Sequence, residues 1–558
     1  MKKLIIMSLV SASILLAASP VPNISDVVRE STPPKNITQK IEPLIEINGT
    51  KQYAPAIDDK SEKTVFVKSF KITNAVHIDE GSLQALVAPY TNKELTFAKL
   101  QEVASIITKA YREAGYFVAK AYIPMQTMQD DIVEITVVEG NYGEFKLNNN
   151  SLVKDNIIQG MLDNIKDENI VSTETLERAM LIINDTSGAK VTQADVMPGK
   201  VTGTSDFAIK TEATPRYDGY ILGDNYGSRY TGKNRLTLGL NLNSPLGIGD
   251  KLGVVGMISS NSELKYGRIA YEAPLMSNGL TGELSYSNTK YALGDEYKSL
   301  DAYGSAQSTE LMLTYPIIRT RHETLELMSR LSRKSLNDYQ NGSIVADKDI
   351  FAFVVGLNHI KDHKVFGLDL QTNSMLSLTS GSLKFNDTVS EVSDAAGANT
   401  QGRYNKVNGM IGGTLTINQA TWLITNLSFQ KALGHKNLDG IEDFIIGGPD
   451  GVKVYPTSEL NAENGIMFNV EFLRALPAVG NVTQKIGLFY DIAKADMEDS
   501  SKVSTFQSRT LQDIGMEYYV TYQSLFARAH LARIVGSNTV TSEPDYSTKF
   551  LIQVGWSF

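Results

Sequence analysis

The 558-residue sequence contains no cysteine. This absence excludes disulfide bonds, cysteine catalysis and thiolate metal sites, and it removes the residue through which a bacterial lipoprotein is anchored. An excess of positive charge is also missing, because the formal net charge is −9. We therefore expect no nucleic-acid partner, since phosphate binding needs a basic surface. Beyond the N-terminal segment, no apolar run reaches the ~20 residues that a membrane-spanning helix needs.

The N-terminal segment has the features of a secretory signal. Lys2 and Lys3 precede an apolar stretch from Leu4 to Leu16, and small residues follow at Ala17-Ala18-Ser19. The alternative is a membrane anchor, but the apolar run is shorter than ~20 residues. We expect a signal peptide over residues 1–18, which places the mature chain in the periplasm, the outer membrane or the medium.

The following segment, residues 19–62, is polar and contains six prolines. This composition is typical of an extended linker. One short helix could fit within it, from Ile24 to Glu30. The pattern changes at about Thr64, where strand-type residues begin.

Two consecutive segments then share one pattern of predicted secondary structure. In residues 63–140, a strand pattern over Val65–Ile72 is followed by apolar residues at helical spacing from Phe97 to Ala114. Further strand patterns follow at Val118–Ile123 and Ile132–Val138. This segment predicts a small α/β unit of the order strand, helix, strand, strand.

Residues 141–213 repeat this plan, with a helix that begins after Ser172. Four positions of the first unit correspond to positions of the second at an offset of 73 residues, three of them with the identical residue. The matching pairs are Gly115 with Gly188, Val118 with Val191, Ala121 with Ala194, and Ile123 with Val196. The sequence thus predicts an internal duplication of one α/β unit.

From residue 214 to residue 558, helix signals are absent and apolar residues alternate with polar ones. The alternation is clear over Leu236–Leu242, Leu280–Tyr286 and Phe550–Phe558, and turn residues such as Asn341-Gly342 separate such segments. Period-two alternation predicts strands with one polar and one apolar face. In a soluble β-sandwich or β-solenoid a second layer would cover the apolar faces, whereas in a membrane barrel lipid covers them.

Three features favour the membrane barrel: the signal peptide, the aromatic residues near strand ends, and the terminal Phe558. The residues Trp556 and Phe558 resemble the C-terminal insertion signal of bacterial outer-membrane barrels. About 345 residues at ~20 to 22 per strand and loop give about 16 strands. The fold expected for residues 214–558 is therefore a transmembrane antiparallel β-barrel.

Four stretches resemble the outer-membrane transporters of two-partner secretion, a family of hemolysin activators and filamentous-hemagglutinin transporters within the outer-membrane insertase superfamily. Residues 111–124 resemble the helix-to-strand corner of a polypeptide-transport-associated (POTRA) domain. Residues 224–232 resemble the first hairpin of the barrel. Residues 447–456 are similar to the family's long loop, which folds back into the pore, and residues 489–493 are similar to a barrel-wall motif whose aspartate pairs with that loop.

The resemblance implies that residues 63–140 and 141–213 are two POTRA domains in the periplasm, ahead of the barrel in the outer membrane. It implies a transporter that recognises one unfolded exoprotein in the periplasm and translocates it through the barrel to the cell surface, by type V secretion. The implied partners are a large secreted exoprotein and outer-membrane lipid, and the implied state is a monomer. Three alternatives stay open: an outer-membrane protein insertase, a passive porin, and an outer-membrane enzyme, for which the sequence shows no site.

The resemblance also implies a set of site residues in the pore loop and the barrel wall. Phe489 and Asp491 stand in the wall motif. The loop residues are Gly447, Gly448, Pro449, Asp450, Val452, Lys453 and Tyr455. The chain departs from the family at Lys453, where the family has arginine, at Val454, where glycine or alanine is usual, and at Ala493, where the family has glycine. Because lysine offers one point charge instead of a bidentate fork, we expect a looser anchor if Lys453 pairs with Asp491. The alternative is a solvated lysine in a turn.

An edge strand of the first POTRA domain is the candidate binding site for the exported partner. Such an edge, beside an amphipathic helix, can accept an extended segment through backbone hydrogen bonds. The strand in question comprises Val118, Ala119, Lys120, Ala121 and Tyr122. The alternative is that this strand belongs only to the core of the domain.

Other chemistry is not indicated by the sequence. His359 and His363 are four residues apart on one strand face, but no carboxylate partners accompany them in the pattern, and a metal site is not expected. No Gly-x-Ser-x-Gly motif, phosphate-binding glycine loop or paired-carboxylate signature is present. We expect no enzyme activity and no cofactor. Without a nucleotide site, the driving force for export must come from elsewhere, and we expect it to come from folding of the partner outside the cell.

Overall fold

The chain forms a short N-terminal helix, two α/β modules and a closed β-barrel. The computed structural model describes residues 22–31, 47–48, 63–168, 170–503, 506–544 and 546–558. The predicted signal peptide, residues 1–18, and most of the predicted linker lie outside these residues. Among the residues described, none of the helices combines the length and the apolar character needed to cross a membrane.

The helices are few and lie mainly in the two modules. They are α1 (Ile24–Glu30), α2 (Glu80–Val87), α3 (Phe97–Glu113), α4 (Asp155–Asp163), α5 (Thr173–Asp185) and α6 (Thr388–Ala396). The strands before the barrel are β1 (Ile47–Asn48), β2 (Thr64–Val67), β3 (Ser69–Thr73), β4 (Lys93–Thr96), β5 (Lys120–Tyr122), β6 (Ile132–Val138), β7 (Asn141–Asn150), β8 (Lys190–Pro198) and β9 (Thr204–Glu212).

The first module contains α2, α3 and the strands β2 to β6. The strand β6 lies between β3 and β5, and β2 pairs only with β4. The predicted single strand over Val65–Ile72 is wrong, because the chain changes sheets at Lys68, whose N–H donates to Asp131 O. The helix α2 was not expected from the sequence: it has eight residues and buries only Leu83 and Val87, too few for a clear periodic pattern.

A half-buried carboxylate, Glu139, holds the end of the first module in place. It accepts hydrogen bonds from the Tyr111 hydroxyl at 2.9 Å and from the backbone N–H groups of Val76 and His77 at 2.8 and 2.9 Å. Burial alone would raise the pKa of Glu139, but the hydrogen bonds from His77 and Val76 outweigh it and lower that pKa.

The second module has the sheet order β1-β8-β9-β7, with α4 and α5 packed on it. Ser172 caps α5, as expected, by accepting a hydrogen bond from Thr175 N. The helix α4 was missed because its N-cap is Lys154, which makes no side-chain cap bond. Ile47 and Asn48 pair in parallel with Ala194 and Asp195 of β8, so residues of the linker add a strand to this sheet.

The barrel strands follow one another in chain order. They are β10 (Tyr217–Asp224), β11 (Arg235–Asn243), β12 (Lys251–Ser259), β13 (Leu264–Pro274), β14 (Thr281–Ala292), β15 (Tyr303–Arg319), β16 (Glu323–Gln340), β17 (Ser343–Val365), β18 (Leu368–Phe385), β19 (Gly402–Asn418), β20 (Thr421–Leu433), β23 (Asn464–Val479), β24 (Val482–Asp496), β25 (Arg509–Tyr522), β26 (Leu525–Ile534) and β27 (Thr548–Ser557). Between β20 and β23, the short strands β21 (Phe444–Ile445) and β22 (Asn461–Ala462) form a separate pair.

All neighbouring barrel strands are antiparallel, and β27 closes the barrel on β10. The prediction of about 16 strands is confirmed. The turn at Asn341-Gly342 is also confirmed, since both residues have positive φ, 47° and 73°. The wall is uneven in height: β10 has eight residues and β17 has 23. The closing pair β10–β27 joins five residue pairs, against 18 between β17 and β18.

The helix α1 lies inside the barrel. Asn23 caps it by accepting hydrogen bonds from Ser25 N and Asp26 N. Ile24 and Val27 are buried among apolar residues of the barrel strands, and Ile24 N donates to Asp338 Oδ1 of β16 at 3.0 Å. The predicted helix at Ile24–Glu30 is therefore confirmed, and it occupies the lumen.

Charged and polar contacts join the second module to one end of the barrel. Arg319, at the end of β15, donates two hydrogen bonds to Asp185 of α5, at 2.7 and 3.1 Å. Arg178 Nη2 donates to Pro316 O at 2.6 Å, and Lys154 N donates to Gly247 O at 2.9 Å. These contacts fix the module beneath the turns of the barrel, so the opposite end, with the β18–β19 loop, faces away from it.

Candidate functional site in the barrel lumen

The loop between β20 and β23, residues 434–463, folds back into the barrel. At its tip Val452, Lys453, Val454 and Tyr455 are all buried. Gly448 N donates to Tyr455 O, which closes the tip into a compact turn.

Glycines make this tip possible. Gly448 has φ 92°, a conformation that side chains with a Cβ rarely adopt. A Cβ at Gly451 would lie 2.5 Å from Ile446 O, and one at Gly447 would overlap Pro456 O. Three glycines are therefore required for the loop to double back at this point.

Lys453 lies against the barrel wall at the two predicted wall residues. Its Nζ is 2.9 Å from Asp491 Oδ2 and 4.4 Å from the centre of the Phe489 ring. The side chains of Lys453 and Asp491 are 5% and 0% exposed, so the pair is shielded from water. A second carboxylate, Glu471, is 3.6 Å from the same ammonium. The structure thus brings the predicted loop and wall residues together.

Three further wall contacts support the tip. Asp513, directly opposite Asp491 on the next strand, accepts a hydrogen bond from Val454 N at 2.7 Å. Asn469 Nδ2 donates to Asp491 Oδ1 at 2.8 Å and to Gly451 O at 3.3 Å. Lys453 makes one hydrogen bond to Asp491, whereas an arginine could make two. The contacts of Glu471 with Lys453 and of Asp513 with Val454 N add to this single bond.

The charge balance around the ammonium is negative. Burial by itself would lower the pKa of Lys453, but Asp491 and Glu471 outweigh burial and raise it. Lys453 therefore stays charged within the loop. A buried pair of this kind is costly to break, because removal of one partner leaves an uncompensated charge.

A second anchor lies beyond the tip, at Glu459. Its buried carboxylate accepts hydrogen bonds from the backbone N–H groups of Thr541 and Ser542 at 2.8 and 3.0 Å. Arg509 Nη2 of β25 lies 2.5 Å from Glu459 Oε1. Thr541 and Ser542 belong to the β26–β27 loop, and Ser542 O accepts from the Tyr230 hydroxyl in the β10–β11 loop at 2.9 Å. Glu459 therefore ties the long loop to the two loops beside the closing pair.

The first part of the long loop contacts α1. Asp439 accepts from Lys348 Nζ at 2.7 Å and from the Ser25 hydroxyl at 3.4 Å. Burial alone would raise the pKa of Glu442, but Lys334 and Lys406 hold it at about 2. The helix and the loop thus occupy the lumen together and share polar partners on the wall.

The lumen is only partly filled. A cavity of about 540 Å³ lies beside α1 and the long loop, lined by Val28, Ser31, Arg268, Glu310 and Arg330 among others. This space is far smaller than a protein domain. A polypeptide could pass only after the helix, the loop or both had moved.

The predicted partner-binding strand is shorter than expected. Only Lys120–Tyr122 form β5, whereas Val118 and Ala119 precede it in a turn. The side chain of Ala121 is buried, and its N–H is bonded to the hydroxyl of Thr108 in α3 at 2.9 Å. Successive residues of an antiparallel strand point their N–H groups to opposite sides. The N–H of Ala121 therefore points to the edge of β5 that does not pair with β6, and Thr108 occupies it there.

Trp556 and Phe558 lie at the end of the closing strand. Both side chains are partly exposed on the outside, with ring centres 4.8 Å apart. Phe558 exchanges two backbone hydrogen bonds with Gly219, each 3.0 Å long. His359 and His363 lie on the same face of β17, as expected. Their ring nitrogens contact Glu323 and Thr372, and the described residues include no group of three side chains suited to a metal ion.

Several residues of this site were missed from the sequence: Asp513, Glu471, Asn469 and Glu459. The strand β25 offered one signal, because Leu511, Asp513, Gly515 and Glu517 share the inward face while the outward residues Ile514, Met516 and Tyr518 are apolar. A buried acid in such an alternating strand indicates a lumen contact. Glu459 offered no signal of this kind, since its partners lie in a distant loop.

The comparisons with known proteins agree with this architecture. Residues 203–505 match the family described as haemolysin secretion/activation protein ShlB/FhaC/HecB, and residues 65–140 match the POTRA domain of ShlB type. Among solved structures, CdiB from Escherichia coli covers 91% of this chain and 93% of its own, with a TM-score of 0.72 at 19% identity.

Two curated relatives are similar over most of their length. The heme/hemopexin transporter protein HuxB of Haemophilus influenzae is 26% identical over 415 residues, which are 73% of this chain and 72% of HuxB. The outer membrane transporter CdiB of Escherichia coli is 23% identical over 469 residues, 78% of this chain and 73% of CdiB. The chain belongs to the haemolysin secretion/activation protein family ShlB/FhaC/HecB, the outer-membrane transporters of two-partner secretion, and its POTRA domains lie in the periplasm.

Proposed function

We propose that this protein recognises one unfolded exoprotein in the periplasm and translocates it through its own barrel to the cell surface. The proposal rests mainly on the observation that α1 and the long loop lie inside the barrel. The pore is obstructed by α1 and the long loop, and both are held by ion pairs and hydrogen bonds that can be broken and re-formed. A passive porin does not need a helix and a loop that can be displaced from its pore.

The long loop acts as a gate in this proposal. Lys453 and Glu459 are its two anchors, on Asp491 and on the β26–β27 loop. A translocating segment carries many backbone polar groups, which can replace these contacts one by one. The energetic cost of opening is then offset by contacts with the passing chain, and folding of the partner outside makes export irreversible.

The first POTRA domain supplies the recognition edge. The N–H of Ala121 becomes available to an extended partner when the Thr108 hydroxyl turns away, and Tyr122 and Met125 present exposed apolar surface beside it. Edge addition of this kind combines backbone hydrogen bonds with side-chain pockets. The pairing of residues 47–48 with β8 supports the idea, because it shows an extended segment on the edge of the second module.

The decisive experiment compares the secreted and outer-membrane proteins of three strains by mass spectrometry. One strain has the wild-type gene, one lacks it, and one carries Lys453→Ala. Lys494→Ala serves as the matched control, because Lys494 is an exposed lysine of the wall strand β24 whose partner is Asp496. We expect one large protein to disappear from the medium in the deletion strain and to decrease in Lys453→Ala, with the control unchanged.

The other outcomes separate the alternatives. General depletion of outer-membrane barrels would identify an insertase. An unchanged secreted fraction in the deletion strain would contradict export and leave the porin. Normal export by Lys453→Ala, with loss of export in the deletion, would exclude the gating role of Lys453 alone.

The recognition edge is tested with the partner identified in this way. Thr108→Val keeps the shape of the buried side chain and removes the hydroxyl that covers Ala121 N. We expect tighter binding of the partner's N-terminal segment to the full-length protein, by about 1 kcal/mol, the usual net value of one hydrogen bond. Unchanged or weaker binding would argue that the partner uses another edge.

A further inference from the structure

On the strands β16 to β19, the outward face of the barrel carries basic side chains beyond its apolar band. On the strands β16 to β19, exposed apolar side chains such as Leu331, Phe353, Leu378 and Ile411 face the lipid. Farther along each strand, away from the second module, the outward residues become polar. This end of the barrel is the outer one, because the POTRA domains lie at the other.

Three basic residues lie on this outward face. Arg333 in β16, Lys384 in β18 and Arg403 in β19 are all exposed. The register places Ser382 opposite Arg403, so Lys384 and Arg403 are diagonal neighbours on adjacent strands, a relation that allows long side chains to approach one another. Phe351 lies between Arg333 and Ser382 in the same row.

The acids nearby neutralise only part of this charge. Asp349 lies 3.5 Å from Arg333 and is directly opposite Lys384 in the register, so one carboxylate stands between two cations and can balance only one of them. Asp347 accepts a hydrogen bond from Asn386. By contrast, neither Lys384 nor Arg403 has an ion-pair or hydrogen-bond partner among the described residues. Two unpaired cations thus lie side by side on a surface that faces the membrane.

The loop above these cations does not supply a partner either. It contains acidic residues, but each of them accepts a hydrogen bond from a residue of the loop itself. Asp387 caps α6 through Ser390 N, and Asp394 accepts hydrogen bonds from Thr400 and Gln401. The two cations therefore point to an anion that does not belong to this chain.

We propose that Lys384 and Arg403 form a binding site for the phosphate groups of a phosphorylated glycolipid in the outer leaflet. Charge complementarity identifies the headgroup, since guanidinium and ammonium groups bind phosphate by charge-assisted hydrogen bonds. Position identifies the source as a lipid. The exposed Phe353, Leu378 and Ile411 lie along the same strands, where the acyl chains of such a lipid pack. The side chains of lysine and arginine reach towards the headgroup level from the strand.

The test measures lipid binding to the full-length protein by native mass spectrometry. The protein is first delipidated in detergent micelles. The probes are diphosphorylated lipid A and the same lipid after removal of both phosphates. The variant Lys384→Gln/Arg403→Gln is compared with wild type and with each single variant. Lys494→Gln is the matched control, because Lys494 is also exposed on the outward face near the outer end but has Asp496 as partner at 3.4 Å.

We expect diphosphorylated lipid A to bind about five-fold more weakly for each cation removed, and about 25-fold more weakly to the double variant. The control should stay within about two-fold of wild type by the same reasoning. Folding is verified by the shift in gel mobility between heated and unheated samples, which a closed barrel shows.

Three results would overturn the proposal. The first is equal binding of the dephosphorylated lipid by wild type, which would leave only apolar contacts. The second is unchanged affinity of the folded double variant. The third is displacement of the bound lipid by millimolar inorganic phosphate, which would indicate a site for the free anion.

Discussion

Breaking the pair between Lys453 and Asp491 should open the long loop. The absence of cysteine in the chain allows a direct measurement, because a single Val454→Cys reporter would be the only thiol. Val454 is buried, and its contact with Asp513 is made by the backbone, so the reporter preserves that hydrogen bond. A membrane-impermeant maleimide added to intact cells then labels the loop only when it leaves the wall.

The magnitude follows from burial. In Lys453→Met the methylene stem remains and the charge is lost, so Asp491 stays buried without its cation. Removal of one partner of a buried pair costs about 3–5 kcal/mol, which corresponds to an increase in the open fraction of about 100- to 4,000-fold. Glu471 is 22% exposed, and the water that this exposure admits favours the lower value. We therefore expect labelling of Lys453→Met to be about 100-fold faster than that of the reporter alone.

A double-mutant cycle separates the pair from its surroundings. Asp491→Asn should have a smaller effect, about tenfold, because Lys453 still has Glu471 as a partner and a neutral amide is less costly to bury than a lone charge. The double variant should label more slowly than the product of the two single effects predicts. Lys494→Met is the control. If Lys453→Met labels within about two-fold of the reporter alone, or if the control is accelerated equally, the pair does not hold the loop.

Three other predictions concern contacts outside this pair. Glu459→Gln should weaken the second anchor by about 1–3 kcal/mol and speed protease cleavage of the β26–β27 loop, whereas Lys494→Gln, on the outward face of β24, should not. Glu139→Gln should lower the melting temperature of a fragment of residues 63–213 at pH 7. The pKa of Glu139 in the folded state is below its ordinary value of 4.5. The difference in melting temperature between variant and wild type should therefore be complete above pH 4.5 and disappear as the pH falls through the folded-state pKa. Arg319→Ala removes both hydrogen bonds to Asp185, so hydrogen exchange in α5 should become faster while the barrel stays intact.

The barrel was predictable from the sequence because lipid imposes one simple pattern on every strand. The alternation over Phe550–Phe558 and the turn at Asn341-Gly342 are local signals, and local signals suffice when each strand pairs with the next one along the chain. The number of strands followed from the length alone. The heights of individual strands did not, since the boundary between strand and loop has no sharp sequence marker.

The small modules were predictable only in outline. The helix α3 has a long apolar face and a side-chain cap at Thr96, so its pattern is clear. The helix α2 has two buried residues, and α4 has no side-chain cap, so both lacked the usual markers. The change of sheet at Lys68 depends on a hydrogen bond to Asp131, a contact between residues that are distant in sequence.

Some residues of the candidate site could also be predicted from the sequence, and others could not. Lys453 and Asp491 were recognisable because each stands in a short motif. The second carboxylate at Glu471, the bond from Val454 to Asp513 and the cluster around Glu459 depend on which strands and loops meet in the lumen. These contacts form only when the whole barrel closes, so no single segment of the sequence contains a pattern that predicts them.

The uneven wall has a consequence for the bilayer itself. At ~3.4 Å per residue and a tilt of ~40°, the eight residues of β10 reach a height of ~21 Å, and the 23 residues of β17 reach ~60 Å. The apolar band of an outer-membrane barrel is ~25 Å tall. Lipids beside the closing pair must therefore compress or the barrel must lean, at a cost of fractions of a kcal/mol per ångström of mismatch. We therefore expect the bilayer to be thinner beside the closing pair than beside β17, or the barrel to be tilted towards that side.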